Sequence, residues 1–185
     1  AEQLFAQKGY DATSLREIAA QAGIREPGLY NYFNGKQALY GAVLDRALTP
    51  MVEAMDLDPE GEESLQALAD LPTVMTDLLL EHPTMASLFQ QALQGDPDSV
   101  GNRMILDWLR RLFSQSMDIL RDFGVANPDH AELVIQTIAM FNLTTGYFLF
   151  QRVFEALVGG ELTAPEHIEQ QKKLLAKVQR AMMPA

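Results

Sequence analysis

Thr13-Ser14-Leu15-Arg16-Glu17-Ile18-Ala19-Ala20-Gln21-Ala22-Gly23-Ile24-Arg25-Glu26-Pro27-Gly28-Leu29-Tyr30-Asn31-Tyr32-Phe33-Asn34-Gly35-Lys36 is the stretch that decides the fold. Ser14 and Glu17 have the spacing of a capping box, in which each side chain satisfies an amide of a helix start. Thr13 is a rival cap. Ile18, Ala19 and Ala22 share a face at helical spacing. Gly23 suits a left-handed helix end, because it has no Cβ to clash there. A second helix is expected from near Glu26. Pro27 is tolerated in its first turn, where an amide has no intrahelical partner. Leu29 and Phe33, four apart, face inward. Tyr30, Asn31 and Tyr32 are left partly outward, and Asn34-Gly35 ends the helix. This is the layout of a helix-turn-helix. Two amphipathic helices around a Gly turn also occur in helical proteins that touch no DNA; the outward Tyr, Asn and Arg side chains favour DNA reading.

Working outward, the chain divides at its breakers into helices, and no strand pattern, repeat or low-complexity tract emerges. Ala1 to Ala6 reads as a helix already under way. Residues 36–55 form a linking helix. Asp56 to Glu63 is an acidic loop. Residues 64–81 are helical, with Pro72 expected to kink or split them. Shorter and longer helices are expected at 84–93 and 103–123. Asn127-Pro128-Asp129 caps a helix running to about residue 158, Gly159-Gly160 stops it, and a last helix covers 164–183. The fold class is therefore all-α. A helix-turn-helix head occupies 1–45, with the start of its first helix missing, and a larger helical domain occupies 46–185.

The stretch 129–158 is apolar nearly all round, so it must be buried on every side. One face fits this chain's own core and the other fits a second copy. The interface residues expected are Phe148, Val153, Phe154 and Leu157, with a seam on the last helix at Ile168, Gln171, Leu175, Val178 and Met182. Met75, Leu79, Met85, Phe89, Met104, Trp108, Phe141 and Thr145 could line a cavity between helices, although Met and aromatic residues also fill irregular cores.

Composition narrows the classes. Among 185 residues there is no Cys, which excludes disulfides, thiolate zinc sites and cysteine nucleophiles. His82, His130 and His167 lack ligand spacing, and no metal or other cofactor is expected. No nucleophile–base spacing or phosphate loop points to an enzyme. The formal net charge is −11. Yet residues 1–50 balance Lys8, Arg16, Arg25, Lys36 and Arg46 against Glu2, Asp11, Glu17, Glu26 and Asp45, so the whole deficit lies beyond them. An acidic body confines DNA contact to a neutral head, or serves solubility. The most apolar run, 138–150, is too short to span a bilayer. No membrane partner is expected, and the absence of Cys suits a cytoplasmic protein.

Leu4-Phe5, Gly9-Tyr10, Thr13-Ser14, Ile18-Ala19, Ala22-Gly23-Ile24, Leu29-Tyr30-Asn31-Tyr32-Phe33, Lys36 and Ala38-Leu39 together resemble the N-terminal domain of the tetracycline-repressor (TetR) family. That resemblance implies a base-reading role for Arg16 and a major-groove position for Glu26, Pro27 and Gly28, with Arg25 and Asn31 also counted among the DNA-binding residues. It implies phosphate contacts from Tyr30, Tyr32 and Lys36, and a backbone-facing place for Thr13 and Ser14. It also implies a homodimer on a palindromic double-stranded DNA operator, with a small apolar or amphipathic effector in the larger domain releasing a repressor. Two residues depart from the family's habit: Arg25 stands where a capping Ser is common, and Gly28 brings no side chain to the groove. They motivate an alternative, a helical small-molecule-binding protein that has lost DNA binding.

Overall fold

A computed structural model of the chain describes residues 1–58, 60, 64–124 and 130–182. Among them are ten helices and no strand: α1 (Glu2–Ala12), α2 (Leu15–Gln21), α3 (Glu26–Leu29), α4 (Lys36–Glu53), α5 (Ser64–Glu81), α6 (Met85–Gln94), α7 (Val100–Asp122), α8 (His130–Tyr147), α9 (Gln151–Leu157) and α10 (Pro165–Met182). The expected cap at 127–129, the end at Met183 and part of the acidic loop at 56–63 lie outside the described residues.

The helices gather into two compact units that do not follow chain order. One comprises Ala1–Thr49 with Thr84–Arg110; the other comprises Pro50–Pro83 with Arg111–Ala185. The first unit is built around an aromatic cluster. Phe5 meets Tyr40 edge-on at 4.7 Å between ring centroids, and Tyr10 lies 5.0 Å from Tyr40. Burial pushes the Tyr40 hydroxyl pKa well above its ordinary value, with the neighbouring Tyr10 and Asp11 adding to the rise. Ile18, Ala19, Leu29, Leu44, Leu88 and Ile105 are buried in the same unit. Helix α1 packs on α6, where the Gln91 amide donates to the Ala6 carbonyl and the Thr84 hydroxyl to the Glu2 carboxylate. Gly9 takes φ +79° and ψ 167° inside α1, so the helix breaks before its last turn. Only glycine adopts that region without strain.

In the second unit α5, α8 and α10 pack on one another. Leu68, Leu79, Leu133, Ile168 and Leu175 are buried there. Lys172 on α10 pairs with Asp77 on α5 at 2.6 Å, and the Gln171 amide donates to the Leu143 carbonyl on α8 at 2.9 Å.

Three expectations about elements are corrected. Of the kink or split expected at Pro72, the split does not occur: α5 is one helix from Ser64 to Glu81, with Pro72 buried and the Thr76 hydroxyl donating to its carbonyl at 2.8 Å. Packing against α8 and α10 outweighs the local penalty. The helix expected at 129–158 is two helices, α8 and α9, bent by 62°. Thr144 and Thr145 both turn their hydroxyls back onto the carbonyls four residues earlier, Met140 and Phe141, and Gly146 follows. Such back-bonding bends helices, and Gly adds freedom at the same place. The Tyr147 hydroxyl then donates to the Leu162 carbonyl at 2.6 Å, which pins the returning loop under the bend. Third, α3 covers only Glu26–Leu29 before passing into a turn, rather than reaching Asn34. Arg25 supplies no side-chain cap, and Gly28, Tyr30, Asn31 and Tyr32 are weak helix formers.

No single helix among the described residues is long and apolar enough to cross a membrane; the bent pair α8 and α9 reaches that length and hydropathy only together.

Candidate nucleic-acid interface

The first of the two motif helices starts as its sequence dictates. Ser14 is the N-cap of α2, its hydroxyl accepts the Glu17 amide, and the Glu17 carboxylate accepts the Ser14 amide at 3.0 Å. Lys8 adds an ion pair to Glu17 at 2.6 Å. That ammonium first, then the Ser14 amide and hydroxyl, hold the Glu17 carboxyl down at about 2, from an ordinary 4.5. A lowered carboxyl pKa means stability that is fully present above 4.5 and lost as pH falls through about 2. Acid titration of the wild type should therefore show a loss in that window that Glu17→Gln lacks; superimposable unfolding profiles would contradict it. Gly23 takes φ +70° and turns the chain between the helices, as its spacing implied.

Beyond the turn, Leu29 is buried and Phe33 partly buried, so both face inward. Tyr30 and Tyr32 are 57% and 79% exposed, and Arg16, Arg25, Pro27 and Asn31 are exposed as well. Glu26 and Gly28 are partly exposed. The outward set thus presents a guanidinium from α2, a second from the residue before α3 and, from the turn after α3, two phenols and an amide. These groups can donate to base edges and phosphate oxygens.

Two residues expected at this interface are differently engaged. Thr13 is 1% exposed, and its hydroxyl donates to the Gly9 and Leu4 carbonyls at 2.7 and 3.2 Å, so its side chain is closed to DNA. Lys36 directs its ammonium to the carbonyls of Thr13 and Asp11, at 2.8 and 3.2 Å. Spacing could not reveal either arrangement, because both depend on where α1 ends.

The residues expected around an effector divide between the two units. Met75, Leu79, Phe141 and Thr145 belong to one, and Met85, Phe89, Met104 and Trp108 to the other. Leu79, Met85, Phe89 and Thr145 are buried and the remaining four partly so. The Thr145 hydroxyl is bound to the Phe141 carbonyl, and the Phe141 ring lies 5.3 Å from that of Phe113. An open groove of about 610 Å³ in the first unit is lined by Glu2, Gln3, Ala22, Phe33, Val43 and Arg46, among others, and by none of the expected effector residues.

The expected interface set is also sorted by burial. Ile168, Gln171 and Leu175 lie inside this chain's own core, Leu175 being 0% exposed. These three positions of the seam read on α10 are therefore covered within the same chain, where α10 packs on α5 and α8. Val178, Met182, Phe148 and Phe154 are partly exposed, while Val153 and Leu157 are exposed beside Phe150 and Val158. The Phe154 ring packs edge-on against His167 at 4.6 Å.

The described residues are helical without a strand, and the N-terminal helices make a capped helix-turn-helix with outward Arg, Tyr and Asn. Residues 1–43 match the profile of the bacterial regulatory proteins of the tetR family. Over that N-terminal segment the chain is similar to the TetR family. The transcriptional repressor ComR of Escherichia coli K12 is 34% identical over 91 residues, covering 48% of this chain and 43% of ComR. The chain thus matches less than half the length of such curated relatives. Two solved structures share the fold. The TetR-family regulator SCO3833 of Streptomyces coelicolor superposes with a TM-score of 0.72 at 20% identity, over 100% of this chain and 89% of that one. Bacillus subtilis FadR, in complex with stearoyl-CoA, does so with a TM-score of 0.64 at 18% identity, over 95% and 94%.

Proposed function

We propose that this chain is a ligand-responsive transcriptional regulator, a homodimeric repressor released from a palindromic operator by a small apolar or amphipathic effector. The observation that carries the reading is the capped helix-turn-helix with Arg16, Tyr30, Asn31 and Tyr32 outward. The chemistry of these groups supports DNA as the partner. A guanidinium fork fits the two acceptors of guanine, and phenols and amides donate to phosphate. The relatives add support: ComR is named a repressor, and the solved FadR holds an acyl-CoA. Twofold pairing would set two heads about 34–36 Å apart, one turn of duplex. The exposed Val153 and Leu157 are offered as part of that contact, together with Phe148, Phe154, Val178 and Met182. An effector that favours a conformation with mis-spaced heads needs a coupling of only about 1–3 kcal/mol to weaken DNA binding roughly 5–150-fold.

Selection from a random duplex library by the purified protein tests the proposal. A palindromic sequence should emerge, and its affinity should fall as salt rises. Recovery of no common sequence, or affinity indifferent to salt, would sink the DNA reading and favour a small-molecule carrier. The uncapped, one-turn α3 with Gly28 at its centre is the feature that favours that second reading.

On the selected duplex, Arg16→Ala is expected to cost about 1–3 kcal/mol and to relax preference at one base position per half-site. Binding measured against single-base variants checks this. A uniform loss across all variants would assign Arg16 to phosphate.

A further inference from the structure

We propose that Lys36 is a positioning residue, clamping the end of α1 to the start of α4, and not a cation offered to phosphate. Its consequence for DNA rests on the regulator reading above; its geometry does not. The ammonium carries three donors and no acceptor. Two of them end on the Thr13 and Asp11 carbonyls, at 2.8 and 3.2 Å. These are carbonyls that the end of a helix leaves without intrahelical partners. A further direction is closed by the Tyr10 ring, whose centroid lies 4.4 Å from Nζ.

Charge placement agrees. Lys36 is the first residue of α4, where a cation opposes the dipole of its own helix. Over the carbonyls that end α1 the same cation meets the partial negative charge of groups without intrahelical partners. Its position therefore serves α1 rather than α4.

The clamped segment is held from a second side. Asp11 accepts a hydrogen bond from the Ser99 hydroxyl at 2.6 Å, and Ser99 is the residue before α7. Thr13, between Asp11 and the Ser14 cap, is anchored by its own hydroxyl to Gly9 and Leu4. Residues 9–13 are thus fixed on three sides immediately before the motif begins. Movement there displaces Ser14, and with it the start of α2.

The test compares Lys36→Met and Lys36→Arg in the full chain by two measurements. One is affinity for the selected duplex between about 50 and 200 mM salt. The other is amide hydrogen exchange at Thr13 and Ser14, whose amides bond to the Tyr10 carbonyl and the Glu17 carboxylate. The Met variant should bind about tenfold more weakly at every salt concentration, with an unchanged salt slope and faster exchange. The Arg variant, which keeps donors for the two carbonyls, should recover most of both. A slope reduced by about 0.9 per head, the signature of one lost phosphate contact, overturns the proposal whatever the exchange shows. Unchanged exchange in the Met variant overturns it too. If the wild type selects no duplex, the regulator reading fails, and exchange alone decides the clamp.

Discussion

Phe5→Ala is expected to destabilise the protein by about 3–5 kcal/mol, the range for an aromatic removed from a packed core. Phe5 is 0% exposed. Its ring meets Tyr40 edge-on at 4.7 Å and lies stacked on Tyr10 at 6.2 Å. Each such pair adds about 0.5–1.5 kcal/mol beyond the area buried. The neighbours cannot collapse into the gap without cost. Tyr10 is held over Lys36, and Tyr40 is fixed on the inner face of α4. Urea unfolding should show a lower midpoint at unchanged m. A shift of less than about 1 kcal/mol would mean that the cluster repacks and is not the core of the head.

Gly101→Ala is expected to be the most damaging of the small substitutions, at about 1–3 kcal/mol or more, the cost of overpacking. A Cβ added at Gly101 would lie 2.2 Å from the Tyr10 Cβ and 2.6 Å from its Cγ. The Tyr10 Cβ is fixed by the backbone, so no rotamer change clears it, and α1 or α7 must move. The effect should reach function, since Tyr10 and Asp11 belong to the segment clamped by Lys36. Duplex affinity should fall in the variant at temperatures where circular dichroism still reports full helix content. Wild-type stability and affinity in Gly101→Ala would show that the close approach of α1 and α7 is not required.

Much of this was legible in the sequence because it is local. The capping box of Ser14 and Glu17, the left-handed Gly23 and the inward Leu29 depend on residues three or four apart, and each forms as its spacing implies. Tyr30, Asn31 and Tyr32 are outward as expected, but from the turn after α3 and not from the helix that periodicity predicted there. Locality also explains the one break that could have been read: Thr144, Thr145 and Gly146 in succession form a weak point that the surrounding apolar run concealed. Pro72 is the opposite case, a local signal overruled by burial.

The sequence by itself determined an all-helical chain with a helix-turn-helix at its head, because periodicity, caps and glycine turns act within a few residues. Only the tertiary structure decided what each polar or apolar side chain is used for. It turned Lys36 onto the carbonyls of α1 and buried Thr13 beneath the motif. It buried Ile168, Gln171 and Leu175 of α10 within the chain and left Val153 and Leu157 of α9 exposed. An ammonium satisfies a phosphate or a helix end equally well, and a leucine packs on its own chain as readily as on a second copy. The choice is made by whichever partner the folded chain brings within reach, and that distance is not written in the spacing of residues.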